Sequence, residues 1–236
     1  MRVASRSLYL VVNEKAPPAK CELRHRHARD YAAGMLLNRV EKVLMNNPIR
    51  AAIQRGFEVP RLLAMGGRMH GGVALEIGCG RGVGTELVLE RCGAGRVDAF
   101  DLDPDMVARA RGRLGRFGDR VRLWVGDVER IAAEDNTYDA VFDFGIIHHV
   151  PSWRNAVAEV HRVLKPGGRF YCEEVLAAFI HHPVWSRVLE HPKHDRFDEA
   201  AFRQALEAQG FAVVATRQLW GQYAWFVADK RLTDDP

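Results

Sequence analysis

The stretch Val73-Ala74-Leu75-Glu76-Ile77-Gly78-Cys79-Gly80-Arg81-Gly82, running on through Val83 to Arg91, decides the fold. Val73–Ile77 is a short, mostly apolar run, as a strand buried on both faces should be. Gly78, Gly80 and Gly82 then turn the chain, and the residues from Val83 to Arg91 take up helical spacing. A glycine-rich turn between a strand and a helix lets a ligand approach the backbone closely, because glycine has no Cβ and tolerates unusual torsions. The turn alone does not name its ligand. Nicotinamide and flavin proteins use a similar one, and a merely tight loop needs the same glycines.

Outward from this unit the same alternation repeats. Arg96–Asp101 reads as a second strand, Pro104–Leu114 as a helix, and Val121–Val125, Tyr138–Phe144 and Arg169–Val175 as three more strands. A helix around Trp153–Leu164 separates the last two. Such β/α alternation implies a doubly wound, mostly parallel sheet covered on both faces. After a helix over Asp198–Gln209, two strand-like runs, Phe211–Gln218 and Tyr223–Ala228, are joined only by Leu219–Gln222. So short a link suits an antiparallel hairpin and cannot hold a crossover helix.

On the N-terminal side, Leu36, Leu37, Val40, Val43 and Leu44 mark an amphipathic helix that Asn47-Pro48 stops while starting the next. Two or three short capping helices are therefore expected over 35–70. Residues 1–34 are rich in Arg, His and Ala and contain Pro17-Pro18, which suits a flexible tail or a basic anchor. They hold 7 Lys and Arg against 3 Asp and Glu, the whole of the net charge of +4. From Met35 onward the chain is formally neutral, which removes most bulk support for nucleic-acid binding. The division expected is a tail over 1–34 and one domain over 35–236, made of the cap, a core over 73–175, a lid over 176–197, and a C-terminal helix and hairpin over 198–236.

The usage of 47% hydrophobic and 27% charged residues is that of a globular domain. Cys21, Cys79, Cys92 and Cys172 show no C-x-x-C pair or disulfide-like spacing, and no apolar run approaches the ~20 residues needed to span a bilayer. A reduced, cytoplasmic protein without a membrane span is expected.

The predicted strands end in polar residues on one edge. Asp101 closes the second strand about twenty residues after the glycine turn, where a carboxylate can accept both hydrogen bonds of a ribose diol. Asp103 could compete, but directly before Pro104 it better suits a helix N-cap. Gly126-Asp127-Val128 follows the third strand, and Asp143-Phe144-Gly145 ends the fourth. Open α/β sheets bind ligands at this carboxyl edge.

With Leu75–Gly82, Asp101-Leu102-Asp103-Pro104-Asp105-Met106, Gly126-Asp127, Ile147-His148-His149-Val150 and Leu164-Lys165-Pro166-Gly167-Gly168 in this order, the chain resembles the class I S-adenosylmethionine (SAM)-dependent methyltransferases. The resemblance is closest to the broad group that includes the ubiquinone/menaquinone-type enzymes, and it covers roughly Val73 to Val175. It implies a Rossmann-like seven-stranded sheet of order 3-2-1-4-5-7-6 with the seventh strand antiparallel. It also implies SAM as cofactor: Glu76 and the loop of Gly78, Cys79, Gly80 and Gly82 at the methionine end, Asp101 with Leu102 at the ribose, Asp127 and Val128 at the adenine, and Phe144 through its backbone. Cys79 is filler in this motif, since a thiol nucleophile serves no step of direct transfer to oxygen or nitrogen.

The acceptor is less legible. His148 and His149 follow the fourth strand and could orient an acceptor or act as general base, or could simply pack in the loop. Glu173 and Glu174 alternate across the fifth strand, so only one can readily face a pocket, with Glu173 the candidate. His181, His182, His191 and His194 lie in the lid segment with Phe179, Trp185, Leu189 and Phe197. No metal-ligand pattern surrounds them, and the segment reads as an apolar cover for a small hydrophobic or aromatic acceptor. Leu36, Val40, Leu44 and Phe57 are expected on the opposite side. Three rivals stand beside methyl transfer to a small molecule: a nicotinamide oxidoreductase, a nucleic-acid methyltransferase, and a non-catalytic SAM-binding module. Asp143-Phe144-Gly145-Ile146 lacks the proline clamp of amino-directed base methylation, and no Pro-Cys motif is present.

Overall fold

The computed structural model describes residues 47–180 and 195–232, all within the unit Met35–Pro236. The expected tail over 1–34, the start of the cap at Leu36–Leu44, and the lid histidines His181, His182, His191 and His194 lie outside the described residues.

Asn47 opens the described chain as an N-cap. Its side chain accepts from the Arg50 amide at 2.8 Å, and Pro48 occupies the first turn. Helix α1 (Pro48–Ile53) runs through one π-turn, Gln54–Glu58, into α2 (Val59–Gly66). Strand β1 (Val73–Ile77) leads to α3 (Val83–Glu90), β2 (Arg96–Asp101), α4 (Pro104–Leu114), β3 (Val121–Val125) and β4 (Tyr138–Phe144). A single 3-10 turn at Ile147–His149 precedes α5 (Trp153–Val163) and β5 (Leu164–Val175). The short α6 (Ala177–Ile180), α7 (Glu199–Ala208), β6 (Phe211–Leu219) and β7 (Tyr223–Lys230) follow, and a further 3-10 turn at Gly115–Arg120 links α4 to β3.

The seven strands form one sheet in the order β3-β2-β1-β4-β5-β7-β6, with β7 antiparallel to both of its neighbours. Order and hairpin are those read from the sequence. One boundary differs: α5 stops at Val163, and the strand begins at Leu164 rather than Arg169. Pro166 disfavours helical torsions at Lys165 and so pulls the strand start back into the Leu164–Gly168 motif.

Alternation along the strands divides the core in two. Leu75, Ile77, Val141, Phe170 and Cys172 pack on one face with Trp153, Val157 and Val160 of α5 and Phe202 and Leu206 of α7. Ala74, Ala140, Phe142 and Tyr171 pack on the other with Leu62 of α2, Leu87 and Val88 of α3, and Ala110 and Leu114 of α4. A sheet sandwiched in this way keeps its side chains dry and leaves the carboxyl ends of its strands as the accessible edge.

Trp153 ties the C-terminal side to this core. It is 1% exposed, packs 4.8 Å from Phe197 and 5.8 Å from Phe202 between ring centres, and donates from Nε1 to the Asp195 carbonyl at 2.9 Å. Phe197, expected in an apolar lid, is instead a core residue at 2% exposure. Trp153→Ala should cost about 3–5 kcal/mol of stability in denaturant unfolding, the range for deleting a large buried aromatic. A loss under about 1 kcal/mol would show that 195–197 is held by other means.

Candidate functional site

The strand order reverses between β1 and β4, and a cleft partly open to solvent lies at the carboxyl edge there. Its lining includes Glu76, Gly78, Cys79, Gly80, Asp101, Leu102, Asp127, Val128, Phe144 and His149. The residues singled out at four successive strand ends thus meet around one space.

Glu76 is 2% exposed and accepts a short hydrogen bond from the Thr85 hydroxyl. Burial pushes its carboxyl up to about 8, against the Thr85 hydrogen bond, which favours the charged form. Asp101 lies across the turn from it: Oδ2 accepts from the Gly80 amide at 2.8 Å and Oδ1 from the Asp103 amide at 2.9 Å. Its carboxylate therefore braces both the glycine turn and the start of α4. Asp103 caps α4 by accepting from the Asp105 amide at 2.9 Å. Asp127 accepts from the Glu129 amide at 2.9 Å, and burial raises its pKa. Cys79 has its thiol driven far up by burial, which keeps it protonated.

Gly82 is absent from the lining. It holds a left-handed conformation (φ 82°) at the N-cap of α3, where a Cβ would meet Leu114 at 2.8 Å, so its place is in the turn and in helix packing. The glycine that matters more to the cleft is Gly84, which sequence reading passed over. A Cβ there would overlap the Glu76 carboxylate and come within 2.7 Å of the Phe144 ring.

The three acceptor-side candidates separate. His149 lines the cleft, whereas His148 is 3% exposed and turned inward, its Nδ1 2.6 Å from Glu174 Oε2. Glu173 also stays off the lining. It shares the face of Tyr171, where Oε2 accepts from Trp225 Nε1 at 3.0 Å and Oε1 lies 3.9 Å from Arg50. Burial, and then the neighbouring Glu58, raise its pKa well above the carboxylate range. The alternation of Glu173 and Glu174 stands, but it sends one to the α1–α2 layer and the other beneath the His148 turn.

Arg50, Ala51 and Gln54 bring the N-terminal helices onto the lining. Arg50 pairs with Glu58 and reaches the Phe144 carbonyl at 3.4 Å. Burial works against its charge, yet Glu58 and Glu173 outweigh it and hold the pKa above the ordinary value. The Asn47-Pro48 signal gave the helix, but nothing in the sequence said which of its faces meets the cleft. Phe57, expected beside the acceptor, is 39% exposed and packs edge-on against Trp225.

Residues 74–168 match the family described as methyltransferase domain. Over 80 residues the chain is 41% identical to the ubiquinone/menaquinone biosynthesis C-methyltransferase UbiE of Methylobacterium nodulans, a match covering 33% of this chain and 31% of that relative. The chain spans less than half the length of such curated relatives. Two solved structures share its fold. The methyltransferase in complex with the Haloferax volcanii Trm112 activator has a TM-score of 0.68 at 19% identity, covering 83% of this chain and 99% of that one. Phosphoethanolamine N-methyltransferase 2 of Haemonchus contortus, solved with SAM, has a TM-score of 0.63 at 18% identity, covering 74% of this chain and 52% of that one. Motifs, sheet order and these likenesses together support a class I SAM-dependent methyltransferase reading of the matched stretch and give the chain that fold.

Because Gly84 leaves room for the Glu76 carboxylate, Gly84→Ala should overpack the cleft floor. The expected cost is about 1–3 kcal/mol in chemical denaturation. An unchanged midpoint would mean that Glu76 can move aside freely, against the packing described above.

Proposed function

We propose that the chain transfers the methyl group of SAM to a small, hydrophobic or aromatic acceptor that enters beside His149. The observation that carries the donor half is a single cleft lined by four acidic residues, of which Glu76, Asp101 and Asp127 come from the ends of three different parallel strands and Asp103 caps the helix after β2. SAM presents an ammonium, a ribose diol and an adenine amino group, all donors, and no pyrophosphate. A nicotinamide dinucleotide would instead bring two phosphates against these carboxylates, and like charges repel most strongly where water is sparse.

In this assignment Glu76 and the Gly78–Gly80 turn hold the ammonium end, Asp101 the diol, and Asp127 with Val128 the adenine. Arg50 is the cation for the carboxylate of the methionine end. When bound, SAM supplies an electrophilic methyl carbon on a sulfonium, attacked in line by the acceptor. The chain's remaining work is to orient the acceptor and exclude water. His149 is the lining residue able to orient a hydroxyl or amine or to accept its proton. Phe144, Ile146 and Val150 give that wall an apolar surface, which favours a hydrophobic partner. Relatives named for quinone biosynthesis and for phosphoethanolamine methylation support a small-molecule acceptor.

Two measurements test the reading. Glu76 carries a proton below about pH 8, and a bound ammonium favours its anion, so binding must release that proton. SAM affinity should therefore rise with pH up to about 8, by at most about tenfold per unit, and calorimetry near pH 7 should detect close to one proton released. Glu76→Gln should abolish both effects, and pH-independent binding by the unaltered chain would contradict the assignment. On a panel of quinols, phenols, carboxylic acids and amines, His149→Ala should lower S-adenosylhomocysteine production by about 100-fold. Its SAM affinity should stay within about threefold, since His149 serves the acceptor. SAM binding without product over the whole panel would favour a binding module.

A further inference from the structure

Just past β4, at the acceptor side of the cleft, four consecutive backbone amides are taken up by two buried carboxyl groups. Asp143 Oδ1 accepts from Gly145 at 3.0 Å and from Ile146 at 2.9 Å. Glu174 accepts from Ile147 at 2.7 Å through Oε1 and from His148 at 3.2 Å through Oε2. Both carboxyls are fully buried. Arg196 clamps the same turn from outside, donating to the His148 carbonyl and, at 3.3 Å, to that of Val150. Backbone torsion alone leaves a short turn several conformers, whereas amides and carbonyls held from two sides leave it one.

We infer that Glu174, together with Asp143, is the positioning residue of the His149 wall, acting through the inward-facing ring of His148. The inference rests on reading the cleft as a methyl-transfer site.

Two carboxyls in hydrogen-bond contact without water cannot both ionise, so the pair shares a proton. Burial is the largest cause raising both, and it leaves Asp143 well above the carboxylate range and Glu174 at about 7. Above about pH 7 the proton therefore resides on Asp143, and Glu174 is the anion that faces His148. A carboxylate 2.6 Å from Nδ1 fixes the proton on that nitrogen and holds the ring plane. The His148 and His149 rings then lie 4.1 Å apart at 39°, so the orientation of the inner ring sets that of the outer one. The charged and titratable groups around Glu174 and His148 include Asp143 of β4, Cys172 of β5 with its thiol 3.3 Å from Asp143 Oδ2, His149 of the turn, and Arg196, and Asp143 in turn interacts with Glu76 of β1. Asp143, Cys172 and Glu174 have ligand atoms within 4.8 Å of one another, with Asp143 Oδ2 taken up by the Cys172 thiol and the Glu174 oxygens by two amides and His148.

The test is proton–nitrogen NMR of the whole chain labelled at histidine, with S-adenosylhomocysteine affinity measured separately by calorimetry. In the unaltered chain His148 should carry a downfield, slowly exchanging proton on Nδ1. Glu174→Gln should lose that signal and move the His149 ring resonances, while S-adenosylhomocysteine affinity stays within about threefold. A structural prop alone would not set the His148 tautomer. An Nδ1 without a proton in the unaltered chain, His149 signals that do not move in the variant, or affinity lost by about tenfold or more would each overturn the inference. Should the variant fail to fold, the His148 signal of the unaltered chain decides. If S-adenosylhomocysteine fails to bind the unaltered chain, the reading of the cleft falls, and the histidine signals still decide separately whether Glu174 sets the ring.

Discussion

Parallel strands that end together leave the amides of the following turns without sheet partners, and at this edge carboxylates take them up. Asp101 accepts from Gly80 and Asp103, Asp103 from Asp105, Asp127 from Glu129, Asp143 from Gly145 and Ile146, and Glu174 from Ile147 and His148. An unsatisfied buried amide costs about 1–3 kcal/mol, so these contacts are a condition of folding as well as a frame for the cleft. Most of the acidic groups that make the edge anionic are there because the backbone needs them.

The two walls of the cleft use this device differently. On the donor wall the carboxylates of Glu76, Asp101 and Asp127 line the space, ready for a ligand rich in donors. On the opposite wall Asp143 and Glu174 are withdrawn from it and hold the turn that presents Ile146, His149 and Val150. Acidic groups are thus concentrated on one wall of the cleft and kept away from the apolar face of the other. Arg50 closes the ring from the N-terminal helices, its own charge balanced by Glu58.

How much of this the sequence disclosed depended on the range of the interaction. Strand order and the terminal hairpin were legible because β/α alternation and link lengths are local features. That Glu76, Gly78, Asp101 and Asp127 meet around one cleft was legible because the glycine turn and the acids at each strand end sit at fixed places along the chain. Direction of a side chain across distant strands was not. Glu173 and Glu174 alternate plainly, but only packing shows that one meets Arg50 and Trp225 and the other meets His148. His148 and His149 are neighbours with opposite fates for the same reason. Gly82 stands off the cleft lining against Leu114, while Gly84, inside a helical pattern, carried no signal of its contact with Glu76.

If the carboxylates at the ends of β1, β2 and β3 form the donor site, a crystal structure of the chain with S-adenosylhomocysteine must show it. The amino group should lie against Glu76, the ribose hydroxyls on Asp101 and the adenine beside Asp127 and Val128, with the sulfur facing the His149 wall. A ligand seated elsewhere, or one whose ribose makes no contact with Asp101, would contradict that assignment.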